Sequence, residues 1–322
     1  MPHNSPGSAA KQGSTIDQAP EPPGDGAAAP PLNPDPDRWT IGRLLVWTSE
    51  FLKKKGSESP RLDAEVLLAH ALKWPRVKLY THYEETIGEA DRSAFRDLVR
   101  RRADGAPVAY LVGRKEFYAL PFTVTPAVLI PRADSEFVVL AFLELMKDIA
   151  KPRAVDVGTG SGCLALACAS RHPGVSFTAI DISPEALEIA RGNAESLKLA
   201  DRVTFRQGTL LDPVANEEPF DAIISNPPYI STCELSGLEK GVRDFEPLIA
   251  LDGGPDGLSI IEPLIDSARA LLKPGGRLIL EIGSSQEDPV RRLVDRLDVF
   301  ELAPTIRDHA GRPRVVRATR RK

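Results

Sequence analysis

The tetrapeptide Asn226-Pro227-Pro228-Tyr229 combines residue types that suit chemistry on a planar –NH2 group. The Asn226 side-chain oxygen can accept one N–H of such a group, and the Pro227 backbone carbonyl can accept the other. Because proline fixes φ, that carbonyl is aimed rigidly, and the Tyr229 ring can stack on the planar group. We therefore expect methylation of an amide or base nitrogen, catalysed mainly by positioning and by stabilisation of the developing positive charge.

A glycine-rich loop is a second candidate site. The predicted strand Arg153–Val157 leads into Gly158-Thr159-Gly160-Ser161-Gly162, and a predicted helix follows. Alternate glycines let the backbone lie against a ligand without a Cβ clash, and the N-terminus of the helix presents free N–H groups. The spacing is neither G-x-G-x-x-G nor a P-loop, so the loop alone is also compatible with a tight turn.

Asp181 makes a nucleoside ligand the better interpretation of this loop. It ends the next predicted strand, where an acid can accept hydrogen bonds from ribose hydroxyls. Ser183 is better placed to cap the helix that begins at Pro184, so we expect Asp181 to be free for the ligand. The glycine loop and Asp181 are together compatible with either a nicotinamide-dependent enzyme or a methyltransferase. The Asn-Pro-Pro-Tyr motif favours the methyltransferase.

The elements that must position these residues form an α/β pattern. Strands alternate with helices beyond residue 153, which predicts a mostly parallel sheet covered on both faces. The strands are predicted at residues 153–157, 176–180, 202–207, 220–225, 277–282 and 313–318, and the helices at 163–170, 184–199, 260–272 and 288–297. Before them, the pattern predicts a hairpin over 117–124 and a helix from Asp134, as its N-cap, to about residue 149.

The N-terminal part differs in composition from the rest. Nine of the 29 prolines lie in residues 1–38, which contain few large apolar side chains, so we expect disorder there. Apolar periodicity then predicts three helices: one from Ile41 to about residue 55, one after Pro60, and one that ends before Gly105. The predicted segments are a leader (1–38), a small helical domain (39–105), a hairpin linker (106–133), the α/β domain (134–319) and a basic tail (320–322).

Composition excludes several classes of protein. No apolar run is long enough for a membrane span, and the N-terminus lacks a secretory pattern. The odd count of three cysteines, without a signal peptide, indicates a reducing, cytoplasmic setting. No CxxC pair is present, so we expect no metal site. The net charge of −4 gives no sign of stable nucleic-acid binding. We expect a monomer, and a frayed, solvated terminus for the basic cluster at 312–322.

The glycine loop, Asp181 and the Asn-Pro-Pro-Tyr motif together resemble class I S-adenosylmethionine-dependent methyltransferases of the N-P-P-Y type. That type includes adenine-N6 DNA methyltransferases and protein-glutamine N5 methyltransferases. Further segments are similar to the HemK-type peptide chain release factor glutamine methyltransferases, and the resemblance covers about residues 39–318. These segments are residues 61–65, 107–113, 129–132, 245–247, 251–258 and 281–283, together with Gln286.

The resemblance implies a Rossmann-like domain with a mostly parallel seven-stranded sheet, preceded by the small helical domain and the hairpin linker. It implies that S-adenosylmethionine lies over Gly158–Gly162, with its ribose on Asp181, its adenine flanked by Leu210, and Asn226 close by. It further implies that the helical domain helps to dock a release factor. The Gly-Gly-Gln loop of that factor would insert its glutamine beside Asn226–Tyr229.

Two departures from the family pattern affect these expectations. The family usually has I-P-R-P-x-T-E, whereas Ala133 stands here in place of the second proline and Ser135 in place of the threonine. Thr209 stands where many relatives have an acid near the adenine. Three alternatives stay open: a ribosomal-protein glutamine N5-methyltransferase, an adenine-N6 DNA or RNA methyltransferase, and a non-catalytic binding protein that kept the fold.

Overall fold

The computed structural model describes residues 39–322, and the predicted leader lies outside the described residues. The described part contains eleven α-helices and ten strands. The helices are α1 (Ile41–Lys54), α2 (Pro60–Ala71), α3 (Lys78–Thr81), α4 (Glu89–Ala103), α5 (Val108–Val112), α6 (Glu136–Met146), α7 (Cys163–Arg171), α8 (Pro184–Ser196), α9 (Lys240–Arg243), α10 (Ile261–Leu271) and α11 (Glu287–Asp295). The strands are β1 (Arg114–Phe117), β2 (Leu120–Thr123), β3 (Arg153–Val157), β4 (Ser176–Asp181), β5 (Val203–Gln207), β6 (Phe220–Ser225), β7 (Leu272–Glu281), β8 (Phe300–Leu302), β9 (Ile306–Arg307) and β10 (Pro313–Arg320).

The first helices pack as the apolar periodicity predicts. Thr40 caps α1 by accepting the Arg43 N–H at 3.3 Å, and α1 buries its apolar face against α2. Asp63 of α2 pairs with Arg102 of α4 at 2.7 Å, and both side chains are largely buried. The three predicted helices are confirmed as α1, α2 and α4. The short helices α3 and α5 were not predicted, because four or five residues carry too little periodicity.

The large sheet has the strand order β5-β4-β3-β6-β7-β10-β8, and the two-residue β9 pairs with β10 beside this path. Strands β5, β4, β3, β6 and β7 are parallel, and β10 runs antiparallel to β7 and β8. The predicted seven-stranded, mostly parallel sheet is therefore confirmed along its main path. Residues 300–302 and 306–307 were not predicted as strands, because such short segments show no alternation.

Apolar side chains alternate between the two faces of the sheet. In β3, Ala154 joins a core with α6, α7 and part of α8, whereas Val155 joins a second core with α10 and α11. Alternation along one strand places successive side chains on opposite faces, so each face requires its own helices. The helical segment and the sheet belong to one compact unit, Thr40–Lys322. No helix among the described residues is long and apolar enough to cross a membrane.

Two local expectations were wrong. Asp134 does not cap a helix, because it lies inside a 3₁₀ turn, Ala133–Ser135, and pairs with Arg314 at 2.9 Å. The basic C-terminal cluster is not frayed, because it contains β10, which lies between β7 and β8 in the sheet. Its arginines are paired; Arg314, for example, also contacts Asp308 at 3.1 Å. A charge cluster is therefore compatible with an inner strand when its arginines have carboxylate or backbone carbonyl partners within reach.

Asn193 of α8 joins the hairpin to the glycine loop. Its side-chain oxygen accepts the Thr123 N–H at 2.8 Å, and its amide donates to the Thr123 carbonyl at 3.1 Å and the Ser161 carbonyl at 2.9 Å. The residue is 1% exposed. The bond to the Ser161 carbonyl is buried and the two bonds to Thr123 are partly buried, so the loss of the amide would leave three backbone groups without their partner, one of them away from water.

We expect Asn193→Ala to lower the free energy of unfolding by about 1–3 kcal/mol, since three backbone groups lose their hydrogen-bond partner and one of them, the Ser161 carbonyl, is buried. Urea denaturation followed by circular dichroism measures the change. Glu188→Ala, at an exposed position of the same helix, is the matched control and should stay within about 0.5 kcal/mol. Equal effects of the two substitutions would contradict the role assigned to Asn193.

Candidate active site

The carboxyl ends of four neighbouring parallel strands meet at one edge of the sheet. The glycine loop follows β3, Asp181 ends β4, Asn226 follows β6 and Glu281 ends β7. A cavity opens at this edge, as expected for ligand sites in open α/β sheets. Its walls include most of the predicted site residues: Gly158, Thr159, Gly160, Ser161, Asp181, Leu210, Asn226, Pro227 and Pro228.

The glycine loop turns sharply under the end of β4. The N–H groups of Gly158 and Thr159 both donate to the Ile180 carbonyl at 2.9 Å, and Gly158 and Gly160 have φ values of +70° and +55°. A Cβ atom at either glycine would meet no atom within 4 Å. The loop backbone therefore leaves open space on its cavity side, where a ligand can approach closely. Gly162 is different, because a Cβ there would lie 3.0 Å from Leu166, so this glycine serves packing.

Asp181 is less free than the sequence suggested. Its two carboxylate oxygens accept the Gly160 N–H at 2.8 Å and the Ser183 N–H at 3.0 Å. Ser183 caps α8 as predicted, accepting the Ala186 N–H at 3.0 Å. Burial raises the pKa of Asp181, and the backbone donors oppose that shift. Each carboxylate oxygen keeps a second lone pair, so Asp181 can both fix the glycine loop and accept ligand hydroxyls.

Asp156 lies beneath the glycine loop, fully buried. Its Oδ2 accepts the Thr159 hydroxyl at 2.7 Å and the Ala165 N–H at 3.2 Å, whereas Oδ1 has no partner among the described residues. The Thr159 hydroxyl is therefore used inside the protein rather than toward the cavity. Burial, opposed by these two donors, raises the pKa of Asp156 to about 7.

Asn226 has a defined orientation at the cavity wall. Its Nδ2 donates to the Ser135 hydroxyl oxygen at 3.1 Å, so Oδ1 is the side-chain atom left for a ligand. Tyr229 does not line the cavity. Its ring packs in the core beside α10 and α11, and its hydroxyl donates to Glu281 at 3.5 Å. The Tyr229 ring is therefore not part of the cavity wall, where we had expected it to stack on a substrate.

The loop at residues 251–258 fixes the backbone of the Asn-Pro-Pro-Tyr motif. The Gln286 amide donates to the carbonyls of Tyr229 at 3.0 Å and Gly257 at 3.1 Å, and its oxygen accepts the Gly283 N–H at 2.9 Å. Gly257 has φ +74°, and a Cβ atom there would lie 2.3 Å from the Tyr229 carbonyl oxygen. Only glycine permits this close approach, which keeps the motif rigid.

Several cavity residues were not predicted as site residues. Two loops form the opposite wall, at residues 127–132 and 247–250. Buried Glu246 holds the first loop by pairing with Arg132 and accepting the Ile130 N–H at 3.3 Å. The family-like segments 129–132 and 245–247 were the available signal; the resemblance placed the first of them near the methyl donor, and nothing in the sequence assigned a place to the second. Leu210, with φ +49°, and Thr209 lie on the adjoining wall.

The cavity fits a nucleoside-bearing ligand better than a metal. The open space beside Gly158 and Gly160 lets a ligand lie against the protein backbone. Asp181 retains lone pairs that can accept the hydroxyls of a ribose. Buried atoms without partners, Asp156 Oδ1 and Ser161 Oγ, add polar capacity next to the loop. Within residues 39–322, no group of three or more His, Cys, Asp or Glu side chains is placed to hold a metal ion. Cys163 lines the cavity, but burial raises the pKa of its thiol to about 12. The thiol therefore stays protonated and is not available as a thiolate ligand.

Comparison with known proteins agrees with this geometry. A family model described as the PrmC N-terminal domain matches residues 43–113, and one described as the methyltransferase small domain matches residues 136–237. The release factor glutamine methyltransferase of Rhodopirellula baltica is 46% identical over 282 residues, covering 86% of this chain and 95% of that protein. The enzyme of the same name from Moorella thermoacetica is 46% identical over 283 residues, covering 88% and 99%.

A solved structure from Alicyclobacillus acidocaldarius, named a release factor-specific protein-(glutamine-N5) methyltransferase, is 31% identical. The superposition covers 62% of the present chain and 100% of the Alicyclobacillus chain, with a TM-score of 0.41. The sheet order and the motifs at the strand ends define the present protein as a class I methyltransferase. Given the identities of 46% along nearly the whole length of the relatives, the chain belongs to the release factor glutamine methyltransferases.

The raised pKa of Asp156 predicts a pH-dependent stability. Between about pH 4 and 7 the folded state holds this proton more firmly than the unfolded state, so the contribution of Asp156 to stability decreases as pH rises through that window. Asp156→Asn removes the titration. We expect the melting temperature of the wild type, relative to this variant, to fall by several degrees between pH 5 and 8.

Thermal unfolding at several pH values measures this difference. Asp201→Asn, at an exposed position, is the matched control, and its melting temperature should follow that of the wild type at every pH. A constant difference between wild type and Asp156→Asn across the range would show that Asp156 keeps an ordinary pKa.

Proposed function

We propose that this protein methylates the side-chain amide nitrogen (N5) of the glutamine in the Gly-Gly-Gln motif of peptide chain release factors, with S-adenosylmethionine as methyl donor. The observation that carries the proposal is the orientation of Asn226. Asn226 lines the cavity and its Nδ2 is bonded to Ser135, which leaves Oδ1 as its free acceptor and suits a substrate that presents N–H. The names of the relatives supply the substrate class.

The methyl donor is assigned to the glycine-loop side of the cavity. Gly158 and Gly160 would face it with their backbone, Asp181 would accept its ribose hydroxyls, and Leu210 would flank its adenine. Gly162 would act indirectly, by shaping the loop. When bound, S-adenosylmethionine would supply a methyl group: the C–S bond breaks as the N–C bond forms, sulfur leaves as a neutral thioether, and the methylated amide nitrogen releases one proton to water.

The substrate amide is assigned to the oxygens of Asn226 and Pro227. Two acceptors fix the plane of an –NH2 group and stabilise the positive charge that develops on nitrogen as the methyl group transfers. Their rigidity matters because catalysis by positioning loses most of its effect when the nitrogen is displaced. Pro228 and Tyr229 hold the backbone of the motif, with the Tyr229 carbonyl fixed by Gln286.

A protein loop can reach this cavity over an apolar rim. Leu248 and Ile249 are 60% and 57% exposed, and Ile249 also lines the cavity. Exposed apolar side chains next to a site favour a macromolecular ligand. We assign this rim to the loop of the release factor and the helical segment at 39–105 to docking of its body. The proposed setting is translation termination in the cytoplasm, with the enzyme a monomer.

The substrate proposal is tested by methyl transfer from labelled S-adenosylmethionine. Separate reactions contain a purified release factor, the same factor with the Gly-Gly-Gln glutamine replaced by alanine, ribosomal proteins, and DNA. We expect label on the intact release factor alone. Label on ribosomal protein or DNA, or label that persists after the glutamine is replaced, would overturn the assignment in favour of one of the alternative methyltransferases.

We expect Asn226→Ala to lower kcat by at least about 100-fold while the affinity for S-adenosylmethionine changes by less than about threefold, because Asn226 holds the substrate nitrogen. Asp181→Ala is the matched comparison and should weaken cofactor binding by at least about tenfold. Calorimetric titration with S-adenosylmethionine and single-turnover methylation separate the two effects. Loss of cofactor affinity in Asn226→Ala would reassign Asn226 to the cofactor site.

A further inference from the structure

The 3₁₀ turn Ala133–Ser135 orients the side chain of Asn226. Ser135 is 2% exposed and lines the cavity, and its hydroxyl oxygen accepts the Asn226 Nδ2 at 3.1 Å. The turn follows the cavity-lining residues 131–132 and leads directly into α6. A displacement of this turn would therefore move the hydrogen-bond partner of Asn226 and release its amide from the observed orientation.

The turn has little rigidity of its own. It is three residues long, and the hydrogen bonds of a 3₁₀ turn have poorer geometry than those of an α-helix. One of them joins the Ser135 N–H to the Arg132 carbonyl at 3.1 Å. The first residue, Ala133, leaves φ unrestricted, whereas a proline would fix it. Side-chain contacts from the rest of the fold are therefore needed to hold the turn in one position.

Asp134, the central residue of the turn, makes such a contact with Arg314 of β10. Its Oδ2 lies 2.9 Å from the Arg314 Nη2, and neither residue lines the cavity. The backbone of Arg314 belongs to the sheet at the active-site edge, because its carbonyl accepts the N–H of Ile282, the residue after β7, at 2.9 Å. The ion pair therefore joins the turn to the sheet.

Arg314 is itself fixed by a second carboxylate. Its Nε donates to the Asp308 Oδ2 at 3.1 Å, and the side chains of Arg314 and Asp308 are 12% and 4% exposed. Asp308 is held in turn by the N–H groups of Ala310 and Arg312, each at 2.9 Å. A guanidinium presents its donors in a rigid, planar fork. With Nε bonded to Asp308, the Nη2 of Arg314 is presented to the turn in a defined direction.

We propose that Arg314 and Asp134 are positioning residues for methyl transfer, because their ion pair holds the 3₁₀ turn in the position from which Ser135 orients Asn226. The inference rests on the proposed function, since it concerns the same substrate nitrogen. The pair contacts neither the substrate nor the methyl donor in that assignment. Its effect passes through one peptide bond, because Asp134 and Ser135 are adjacent in the chain.

The test compares kcat and KM for release-factor methylation in Asp134→Ala and in Glu144→Ala. Glu144 is the matched control, since it lies near the other end of α6 and pairs with a different arginine of β10, Arg317, at 3.3 Å. We expect Asp134→Ala to lower kcat by about 5–50-fold and to change KM by less than about threefold, because catalysis by positioning is lost when the nitrogen is displaced. Glu144→Ala should match the wild type. Equal kcat values for the two variants would overturn the proposal.

Asp134→Ala is chosen over a substitution of Arg314 because it leaves the Arg314–Asp308 pair intact. Removing the arginine would leave the buried Asp308 carboxylate without its partner and would destabilise the fold for that reason alone. Melting temperatures measured in parallel show whether a variant fails to fold. In that case Asp134→Asn, which keeps the size of the side chain and removes its charge, replaces Asp134→Ala.

A double-mutant cycle tests whether the effect passes through Ser135. Ser135→Ala removes the acceptor for the Asn226 Nδ2 and should lower kcat. When Asp134→Ala is added to it, we expect a further loss of less than about twofold, since the shared connection is already absent. Losses that multiply as if the two residues were independent would overturn the proposed connection.

Ala133→Pro offers a rescue of the same effect. Arg132 has φ −100° and ψ +147°, a conformation that a following proline favours, and proline is well tolerated at the first position of a helical turn. Because proline fixes φ without help from Arg314, it should restore kcat of Asp134→Ala by at least about threefold. No recovery would overturn the assignment of the effect to the conformation of the turn.

A second readout does not depend on the substrate. In ¹⁵N-labelled protein, the side-chain NH2 signals of Asn226, identified by their loss in Asn226→Ala, should shift in Asp134→Ala and keep their positions in Glu144→Ala. Unchanged signals in Asp134→Ala would overturn the connection. Should the wild type fail to methylate the release factor while the signals shift in Asp134→Ala alone, the proposed function fails and the connection stands.

Discussion

The register of parallel pairing between β3 and its two neighbours is the constraint on which the site depends. Val157, the last residue of β3, pairs with Ile180 on one side and Ser225 on the other. Parallel strands in register end at the same level, so the residues that follow all three lie side by side. A shift of one residue along any of these strands would move its motif away from the cavity and turn its apolar side chains to the wrong face.

Two buried carboxyl groups also lie at this edge of the sheet, although burying a carboxyl group with few partners lowers stability. Asp156 and Glu281 are fully buried, and burial raises the pKa of each to about 7. Each retains one oxygen without a partner among the described residues. Buried groups that lower stability persist where they serve a site. Their positions fit that explanation, since one lies under the glycine loop and the other behind the Asn-Pro-Pro-Tyr motif.

The sequence predicted those parts of the fold and site that depend on contiguous residues. The strand before Gly158, the position of Asp181 and the segment 226–229 are local patterns, and the structure brings all of them to one cavity. Contacts between distant segments were not predictable. Asn193 reaches Thr123 and Ser161 across the fold, and no periodicity marks a buried amide inside a helix. The expected Asp134 cap was wrong for the same reason, because a distant partner on β10 took its carboxylate.

The two acceptors that we propose at the substrate position would also make an amide suit this site better than other nucleophiles. The Asn226 oxygen, once its nitrogen is bonded to Ser135, and the Pro227 carbonyl match the two N–H groups of a carboxamide. A hydroxyl offers one proton and would leave one buried acceptor unpaired, at a cost of roughly 1–3 kcal/mol. An ammonium group offers three protons, so the two neutral oxygens would leave one N–H unpaired and the positive charge uncompensated. In this proposal the orientation of one asparagine side chain provides chemical selectivity, and the exposed apolar side chains of Leu248 and Ile249 are left to distinguish between proteins that carry the same amide.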